Sequence, residues 1–523
     1  MTGYPIVVIG HVDHGKTALV RALTGTDTDR LEEEKRRGVS ILPGFAFLEH
    51  DGQPVDLIDA PGHSDYLRAM ITSASGARGA LIAISAAEGI AAQTLEHIMV
   101  AGGLGISEAV VAVTKSDLMA PGSESKREAE LRAALSATPF AEAPLVFCSA
   151  VTGEGLSVLC GALAALAART RDDTPPPGAF LPVDRVFVAQ GQGTVVTGTL
   201  LGGAVGVNDT LTVSPSGHSV TVRGIEVRGK ATRLAIPGAR TALNLRGLPA
   251  GALRPGDVLH APERFAPTCE ADAVLFLPAA RRLMVRHMAE VRVHCAAAQA
   301  SAHLQLYGAS DLATGEDILV RLKFRGPVCV FEGQRVILRR PSPAETLGAA
   351  LILDAAPGAM PAGKRARQAS LAAASAGDLQ ALAEALSAEG RGAARLADIA
   401  RLARRPAEGL AEALQPGFVA VGGNWLVPAA GLQAARDAYL GALSAYHAAF
   451  PLRLFAPRAG LASPRCAPVV TAQAEADLAA AGAITLTATG AAMAGHAPAD
   501  RLSPAQKMRL DALETALKEA GLN

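Results

Sequence analysis

The chain has 523 residues, of which 50% are hydrophobic and 19% are charged. Its length exceeds that of one domain and predicts roughly three to five, and its composition is that of a globular protein and excludes a disordered one. The 49 basic residues balance 49 acidic ones, so net charge alone does not indicate a nucleic-acid partner.

Cysteine spacing and hydropathy both predict a cytoplasmic protein. No C-x-x-C pair or metal-ligand spacing occurs, which predicts free, buried thiols in a reducing compartment. No leader precedes the strand-like run that starts near Ile6, and no apolar run is long enough to cross a bilayer. The scattered cysteines are Cys148, Cys160, Cys269, Cys295, Cys329 and Cys466.

Residues 1–170 alternate short apolar runs with helical stretches. The runs YPIVVIG, PVDLIDAPG, GALIAIS, AVVAVTKSD and LVFCSA each end in a polar or glycine turn. Buried strands alternating with helices predict an α/β domain with a mostly parallel sheet. Ligands of such domains bind at the carboxyl ends of the strands, where these polar residues lie.

The pattern changes after the Pro-rich linker RTRDDTPPPGAF (Arg169–Phe180). β-branched residues now alternate with polar ones between glycine turns, as in VDRVFVAQGQGTVVTGTLLGG. This pattern predicts two β-barrels, at residues 175–261 and 262–358.

The chain becomes helical and Ala-rich beyond MPAGKRARQ. A helix-turn-helix followed by the hairpin GFVAVGGNWLV predicts a winged helix at residues 365–432, with Trp425 in the hairpin core. A looser copy follows at 433–500, and residues 501–523 resemble the first helix of a third. Arg401, Arg404 and Arg405 either contact RNA or the ribosome or form a solvated helix face, and the pattern leaves both open.

The residues Gly10–Thr17 spell G-x-x-x-x-G-K-T between a predicted strand and a predicted helix. In this motif backbone N–H groups surround phosphates, the lysine (Lys16) contacts the β- and γ-phosphates, and the threonine (Thr17) binds Mg²⁺. The predicted phosphate-binding residues are Gly10, His11, Val12, Asp13, His14, Gly15, Lys16, Thr17 and Ala18.

Three further elements end later strands in the order that a GTP site requires. DAPGH provides Asp59 for the magnesium shell and the Gly62 N–H for the γ-phosphate. TKSD provides Asp117, whose carboxylate accepts from guanine N1–H and its amino group, and Lys115, which covers the ring. SAV, residues Ser149, Ala150 and Val151, caps the base edge. Thr114 replaces the usual Asn of this element, so one purine contact is expected to be weaker.

GHVDHGKT, RRGVSI and DAPGH together resemble the translational GTPases of the elongation factor Tu class, which have two β-barrels after the P-loop GTPase domain. The resemblance implies that Ser40 joins Thr17 and Asp59 around magnesium and that His63 orients the attacking water. It also implies that Val12 and Val39 restrain His63 until a ribosome docks. Catalysis then rests on His63 and Lys16, with hydrolysis stimulated by the ribosome.

TKSD, DTDRLEEEKRRGVSILPGFAF, VDRVF, GARTALNL and SPAETLGAALILD resemble the selenocysteine-specific elongation factors. The resemblance implies selenocysteyl-tRNA as a partner and a pocket made by Asp184, Arg185, Arg240 and Phe45. Fixed positive charge in that pocket distinguishes an anionic selenol from the neutral serine precursor. Winged helices in this family read an mRNA hairpin.

Several interpretations stay open. In the third domain the basic runs RRLMVRH, RLKFR and RVILRR favour contact with the tRNA backbone. The chain has fewer winged helices than full-length members, so either it is truncated or it binds its message otherwise. The alternatives to selenocysteine delivery are a general aminoacyl-tRNA carrier and a GTP-gated nucleic-acid regulator. We expect a monomer.

Overall fold

The computed structural model describes residues 4–29, 32–37, 40–169, 176–189, 193–248, 251–277, 285–308, 311–312, 317–358 and 363–521. They form two compact units that divide after Pro357. Three sequence expectations lie partly or wholly outside the described residues: Val39, most of the basic run that starts at Arg281, and the centre of the Pro-rich linker.

The first domain contains one six-stranded sheet. Its strands are β1 (Pro5–Gly10), β2 (Gly44–His50), β3 (Gln53–Asp59), β4 (Gly79–Ser85), β5 (Ala109–Thr114) and β6 (Leu145–Phe147). They lie in the order β2-β3-β1-β4-β5-β6, with β2 antiparallel to β3 and the remaining neighbours parallel. The mostly parallel sheet is confirmed. The alternation did not reveal β2, whose residues follow the switch motif.

Helices cover both faces of this sheet, because successive strand side chains point to opposite sides. Val7 and Ile9 face one apolar core, while Ile6 and Val8 face the other. The helices are α1 (Lys16–Thr24), α2 (Glu32–Arg37), α3 (Leu67–Ala74), α4 (Ala92–Gly103), α5 (Glu124–Leu135) and α6 (Leu156–Ala167). The loops at the carboxyl ends of β1, β3, β5 and β6 therefore share one edge of the sheet.

The second domain contains an eight-stranded antiparallel sheet and a separate two-stranded sheet, β10–β14. Its strands are β7 (Phe180–Pro182), β8 (Arg185–Ala189), β9 (Gly193–Thr199), β10 (Val205–Gly206), β11 (Thr210–Ser214), β12 (Ser219–Val227), β13 (Lys230–Thr232), β14 (Leu234–Ala235), β15 (Arg240–Arg246) and β16 (Val258–His260). The main order is β7-β16-β11-β12-β15-β9-β8. An isolated bridge joins Phe180 of β7 to Gly202, just after β9, and so connects strands from the two ends of this order.

The third domain is a closed barrel, as predicted, with the order β17-β22-β20-β19-β23-β24. The strands are β17 (Thr268–Phe276), β18 (Val285–Arg286), β19 (Ala289–Cys295), β20 (Ala298–Leu306), β21 (Asp311–Leu312), β22 (Asp317–Val328), β23 (Arg335–Arg340) and β24 (Glu345–Asp354). Closure leaves no free edge in the barrel wall.

Both barrels pack on the first domain within this unit. Arg228 of the second domain forms a bidentate ion pair with Asp56 of β3, at 2.6 and 2.8 Å. Ile337 and Ala349 of the third domain belong to the apolar core of the first. A Cβ added at Gly103 of α4 would come within 2.8 Å of the Ala349 side chain, so the two surfaces fit closely there.

The second unit contains two modules of helices with a small sheet. Its helices are α7 (Lys364–Ala376), α8 (Leu379–Glu389), α9 (Leu396–Ala403), α10 (Leu410–Ala413), α11 (Ala429–Ala449), α12 (Pro468–Ala480) and α13 (Pro504–Glu519). Its strands are β25 (Ala394–Arg395), β26 (Phe418–Val421), β27 (Trp425–Pro428), β28 (Ala456–Pro457), β29 (Ile484–Leu486) and β30 (Gly490–Met493). The predicted hairpin β26–β27 and its glycine turn are confirmed.

The two modules share apolar packing, which the sequence did not indicate. Ala393 and Val427 of the first module lie in one cluster with Val470 of α12, and partly buried Trp425 packs against it. In contrast, α13 has no buried residue. No helix in the described part of the chain has the length and apolar character needed to span a membrane. All six cysteines are free.

Candidate functional site

The phosphate loop links β1 to α1 and bends through residues with positive φ. Gly10 has φ 146°, Asp13 63° and Gly15 77°. A Cβ at Gly10 would come within 2.3 Å of the Ala83 carbonyl oxygen, so only glycine fits there. The structure places all of the predicted phosphate-binding residues from Gly10 to Ala18 in this loop and the first turn of α1.

Lys16 lies under this loop and is 7% exposed. Its Nζ donates to the His11 carbonyl oxygen at 2.7 Å, which aims the ammonium into the loop. Burial lowers the pKa of Lys16 to about 8, with Asp59 acting in the opposite direction. Bound phosphates would compensate this buried charge, because an anion favours the protonated amine.

The three predicted magnesium ligands lie together. The Thr17 hydroxyl donates to Asp59 Oδ2 at 2.8 Å and lies 3.1 Å from Ser40 Oγ. Asp59 is buried, and its Oδ1 has no hydrogen-bond partner among the described residues. Burial raises the pKa of Asp59, and hydrogen bonds from Thr28 and Thr17 oppose this. Hydroxyl and carboxylate oxygens, one of them buried and unsatisfied, are the donor set that Mg²⁺ prefers.

Magnesium bound here would neutralise phosphate charge. Two hydrogen bonds fix the orientation of the predicted ligands. Thr28 Oγ1 donates to Asp59 Oδ2 at 2.7 Å, and Ser40 Oγ donates to Asp29 Oδ1 at 2.8 Å. Thr28 and Asp29 were not predicted from the sequence. They precede the RRGVSI motif. Their short polar side chains, in the sequence DTD, were the feature that could have indicated a role near the magnesium ligands.

His63 follows Gly62 at the end of the DAPG element. Its side chain is 42% exposed and lies near Asp65, with Nδ1 accepting from the Asp65 N–H at 3.2 Å. Gly62 backs onto the phosphate loop, since a Cβ there would come within 2.3 Å of Lys16 Nζ. Val12 is partly buried in the loop. Val39, the other half of the predicted gate, lies outside the described residues.

The TKSD element is joined directly to the phosphate loop. The Thr114 hydroxyl donates to the His14 carbonyl oxygen at 2.7 Å, with both residues buried. Thr114 therefore acts between two protein loops, which refines the expectation of a weaker purine contact. Lys115 has φ 59°, and its Nζ lies 3.8 Å from Glu88 Oε1. Asp117 is exposed, as a group that recognises a base must be.

The SAV element, predicted to cap the base edge, follows β6. Ser149 is buried, and its Oγ accepts from the Val151 and Thr152 N–H groups at 3.2 and 3.1 Å. This turn leaves Ala150 partly exposed and Val151 88% exposed. The four predicted elements thus converge at one sheet edge.

Two buried histidines help to fix the position of the phosphate loop: His14 within the loop and His97 of α4. His97 of α4 accepts from the Gly10 N–H at 3.4 Å, and burial lowers its pKa to about 3. His14 lies with its Nδ1 3.3 Å from the Ala83 carbonyl oxygen, and burial lowers its pKa as well. His97 was not predicted, because its distance along the chain hides the contact.

The four residues of the predicted cargo pocket lie together where β2 meets the second domain. Arg240 lies over the Phe45 ring, with Cζ 3.4 Å from its centroid, and Arg185 Cζ lies 5.4 Å from the same ring. Arg185 also donates to the Pro43 carbonyl oxygen. Two guanidinium groups therefore lie beside one aromatic ring.

Two of the charged residues of this pocket pair with each other. Both terminal nitrogens of Arg240 donate to the carboxylate of Asp184, with Nη2 2.9 Å from Oδ1. Thr197, which was not predicted, donates to Asp184 Oδ1 at 2.7 Å and accepts from Arg240 Nη2 at 3.1 Å. Arg240 is therefore paired, not isolated, and the three charged residues carry a net charge of one positive unit.

The expectation that the basic runs of the third domain contact tRNA needs a correction at one residue. Arg321 in RLKFR is 4% exposed and forms a two-nitrogen pair with Asp272, at 2.7 and 2.9 Å. It cannot reach a tRNA phosphate. Arg325 pairs with Glu290 at 3.0 Å. In the second unit, Arg404 ends α9 in the left-handed conformation, so it is not on a helix face.

Comparison with known proteins agrees with the order of the domains. The family model for the elongation factor Tu GTP binding domain matches residues 4–169, and that for elongation factor Tu domain 2 matches 193–260. The model for the selenocysteine-specific elongation factor beta-barrel domain matches 272–359. Together these models account for all three domains of the first unit.

Among curated relatives, elongation factor Tu 2 of Streptomyces avermitilis is 34% identical over 53% of this chain and 76% of its own length. The selenocysteine-specific elongation factor of Desulfomicrobium baculatum is 36% identical over 69% of this chain. That of Escherichia coli K12 is 33% identical over 80% of it. This chain spans only 56% and 66% of those two relatives.

Two solved structures are similar. A bacterial selenocysteine-specific elongation factor aligns with a TM-score of 0.77 at 23% identity, covering 97% of this chain and 83% of that one. Translation elongation factor SelB of Methanococcus maripaludis, in complex with the GTP analogue GppNHp, aligns with a TM-score of 0.59 at 25% identity, covering 67% and 79%. The first extends the shared fold through the second unit.

Proposed function

Since this chain belongs to the elongation factor Tu family of translational GTPases, with GTP and Mg²⁺ as its cofactors, we propose that it delivers selenocysteyl-tRNA to the ribosome. The observation that carries the proposal is the cluster of Arg185 and Arg240 on Phe45, beside Asp184. Homology to selenocysteine-specific factors supports it. This role places the protein in the cytoplasm.

The pocket suits an aminoacyl group with an anionic side chain. A selenol is ionised at neutral pH whereas the serine hydroxyl is neutral, so cationic groups discriminate by charge. Asp184 supplies the acceptor for the α-amine. Asp184 already pairs with Arg240. We therefore infer that the α-amine of the cargo takes the place of Arg240 beside Asp184, and that its anionic side chain takes the place of Asp184 beside Arg240.

The nucleotide site provides the timing. His63, exposed at the phosphate edge, orients the attacking water, and Lys16 neutralises charge that develops on the phosphates. Fast hydrolysis then waits for the ribosome. A GTP-gated regulator of nucleic acid would instead hydrolyse GTP at a rate that is indifferent to ribosomes.

The test compares selenocysteyl-tRNA with seryl-tRNA on the same tRNA body, with a non-hydrolysable GTP analogue bound. We expect the selenocysteyl form to bind at least about tenfold more tightly, as charge-assisted contacts predict. Arg240→Ala should remove this preference, while Arg246→Ala, an exposed arginine on the same strand, should retain it. Equal binding of both tRNAs by the natural protein would contradict the proposal and favour a general aminoacyl-tRNA carrier.

A further inference from the structure

Residues 40–45, which we call the bridge segment, connect the predicted magnesium ligands to the cargo pocket. At one end, Ser40 Oγ lies 3.1 Å from Thr17 Oγ1. At the other end, the Pro43 carbonyl oxygen accepts from Arg185, and the Phe45 ring lies 3.4 Å from Arg240 Cζ. Any change in the position of this segment therefore reaches both sites.

The centre of the bridge segment is held by one side chain of α2. Glu34 Oε1 accepts from the backbone N–H of Ile41 at 2.9 Å and from that of Leu42 at 3.0 Å. Glu34 is 2% exposed, whereas its neighbours Glu32 and Glu33 on the same helix are exposed. The sequence EEE gives no reason to single out the third carboxylate.

A carboxylate in this position ties the segment to the helix strongly. Hydrogen bonds from backbone N–H groups to a charged acceptor are stronger than neutral ones, and a buried carboxylate that loses its donors is costly. Because Ile41 and Leu42 lie directly between Ser40 and Pro43, fixing their N–H groups limits the freedom of both neighbours. Movement of Ser40 is then transmitted to Pro43 and Phe45 as one unit.

We propose that Glu34 is a positioning residue that couples the nucleotide state to the cargo pocket through the bridge segment. The backbone hydrogen bonds of Glu34 go to residues 41 and 42, between the two sites. Without it, the segment would respond to the nucleotide at Ser40 but would no longer carry that response to Arg185 and Arg240. The cargo part of this inference rests on the proposed function, whereas the response of the segment to nucleotide does not.

Hydrogen exchange in the full chain tests the proposal without any tRNA. Amide protection of residues 40–45 is measured with a non-hydrolysable GTP analogue and with GDP, in the natural protein and in Glu34→Ala, Glu34→Gln and Glu32→Ala. We expect the analogue to protect the segment in the natural protein and in the Glu32→Ala control. Glu34→Ala should reduce this protection about tenfold, since two hydrogen bonds to a charged acceptor are lost.

Two further readouts distinguish coupling from general damage. Nucleotide affinity of Glu34→Ala should stay within about threefold of the natural value, because its lost bonds lie outside the phosphate loop. Glu34→Gln retains an acceptor oxygen and should give intermediate protection. Unchanged protection in Glu34→Ala, or a fall in nucleotide affinity of about tenfold or more, overturns the proposal.

A separate arm measures selenocysteyl-tRNA affinity of the same variants. We expect Glu34→Ala to weaken binding with the GTP analogue by about tenfold and to leave weak binding with GDP unchanged. If the natural protein shows no preference for this cargo, the proposed function fails while the exchange result still decides the role of Glu34. If cargo binding is normal in Glu34→Ala, the coupling proposal fails on its own.

Discussion

Removal of the buried Thr114 hydroxyl should lower the affinity of the protein for guanine nucleotides. Thr114→Val keeps the shape of the side chain but deletes its donor to the His14 carbonyl oxygen, which lies 2.7 Å away. Both residues are buried, with exposures of 4% and 0%, so water cannot easily replace the lost bond. An unsatisfied buried acceptor costs about 1–3 kcal/mol, and about 1.5 kcal/mol corresponds to roughly tenfold in affinity.

The loss of this hydrogen bond should weaken the binding of GTP and GDP equally. The bond joins the TKSD element to the phosphate loop, and each nucleotide contacts both of these elements. Calorimetry gives the affinities, and displacement of a fluorescent GDP gives the dissociation rate. Thr114→Ser retains the hydroxyl and should bind as the natural protein does. Thr138→Val, which removes a 2.7 Å bond to the carbonyl oxygen of Leu135 at the end of α5, controls for stability alone. Affinity within about twofold of the natural value in Thr114→Val would refute this account.

Three further outcomes follow from the site. His63→Ala should retain GTP binding and lose most ribosome-stimulated hydrolysis, measured as phosphate release; unchanged turnover would remove His63 from the mechanism. Because the pKa of Lys16 is lowered to about 8, the phosphate-binding ammonium is present below that pH and is lost above it. Affinity for GDP should therefore fall about fourfold between about pH 7 and about pH 8.5, with proton uptake in calorimetry, and a flat profile would contradict this. Arg228→Met leaves the largely buried Asp56 without its bidentate partner and should cost about 1–2 kcal/mol in unfolding free energy, whereas Arg233→Met, an exposed control, should cost almost none.

Much of the nucleotide site could be read directly from the sequence, because its parts are short and local. Gly10–Thr17 bends as it does for reasons contained in its own glycines, and a lysine and a threonine at fixed spacing follow from the start of α1. Each remaining element ends a strand, and parallel strands bring their carboxyl ends to one edge. Residue type, spacing and strand order were enough.

Contacts between distant segments were decided only by the tertiary structure. The pairing of charges in the cargo pocket depends on Thr197 of β9, the neighbour of β15, and on Asp184, which precedes β8, lying beside Arg240. No spacing in the sequence indicates that pairing. Burial separates Arg321, held by Asp272 inside the barrel, from the other arginines of a run that looks uniformly basic.

The same distinction applies to the two groups that connect sites. Thr114 looked like a weakened base contact until folding placed its hydroxyl against the phosphate loop. Glu34 is the last of three consecutive glutamates, and only the position of the residue 41 and 42 N–H groups beside it makes it different. Motifs of consecutive residues determine the local chemistry of a site. The hydrogen-bond partner, the burial and the surrounding charge of each side chain depend on what the fold places opposite it.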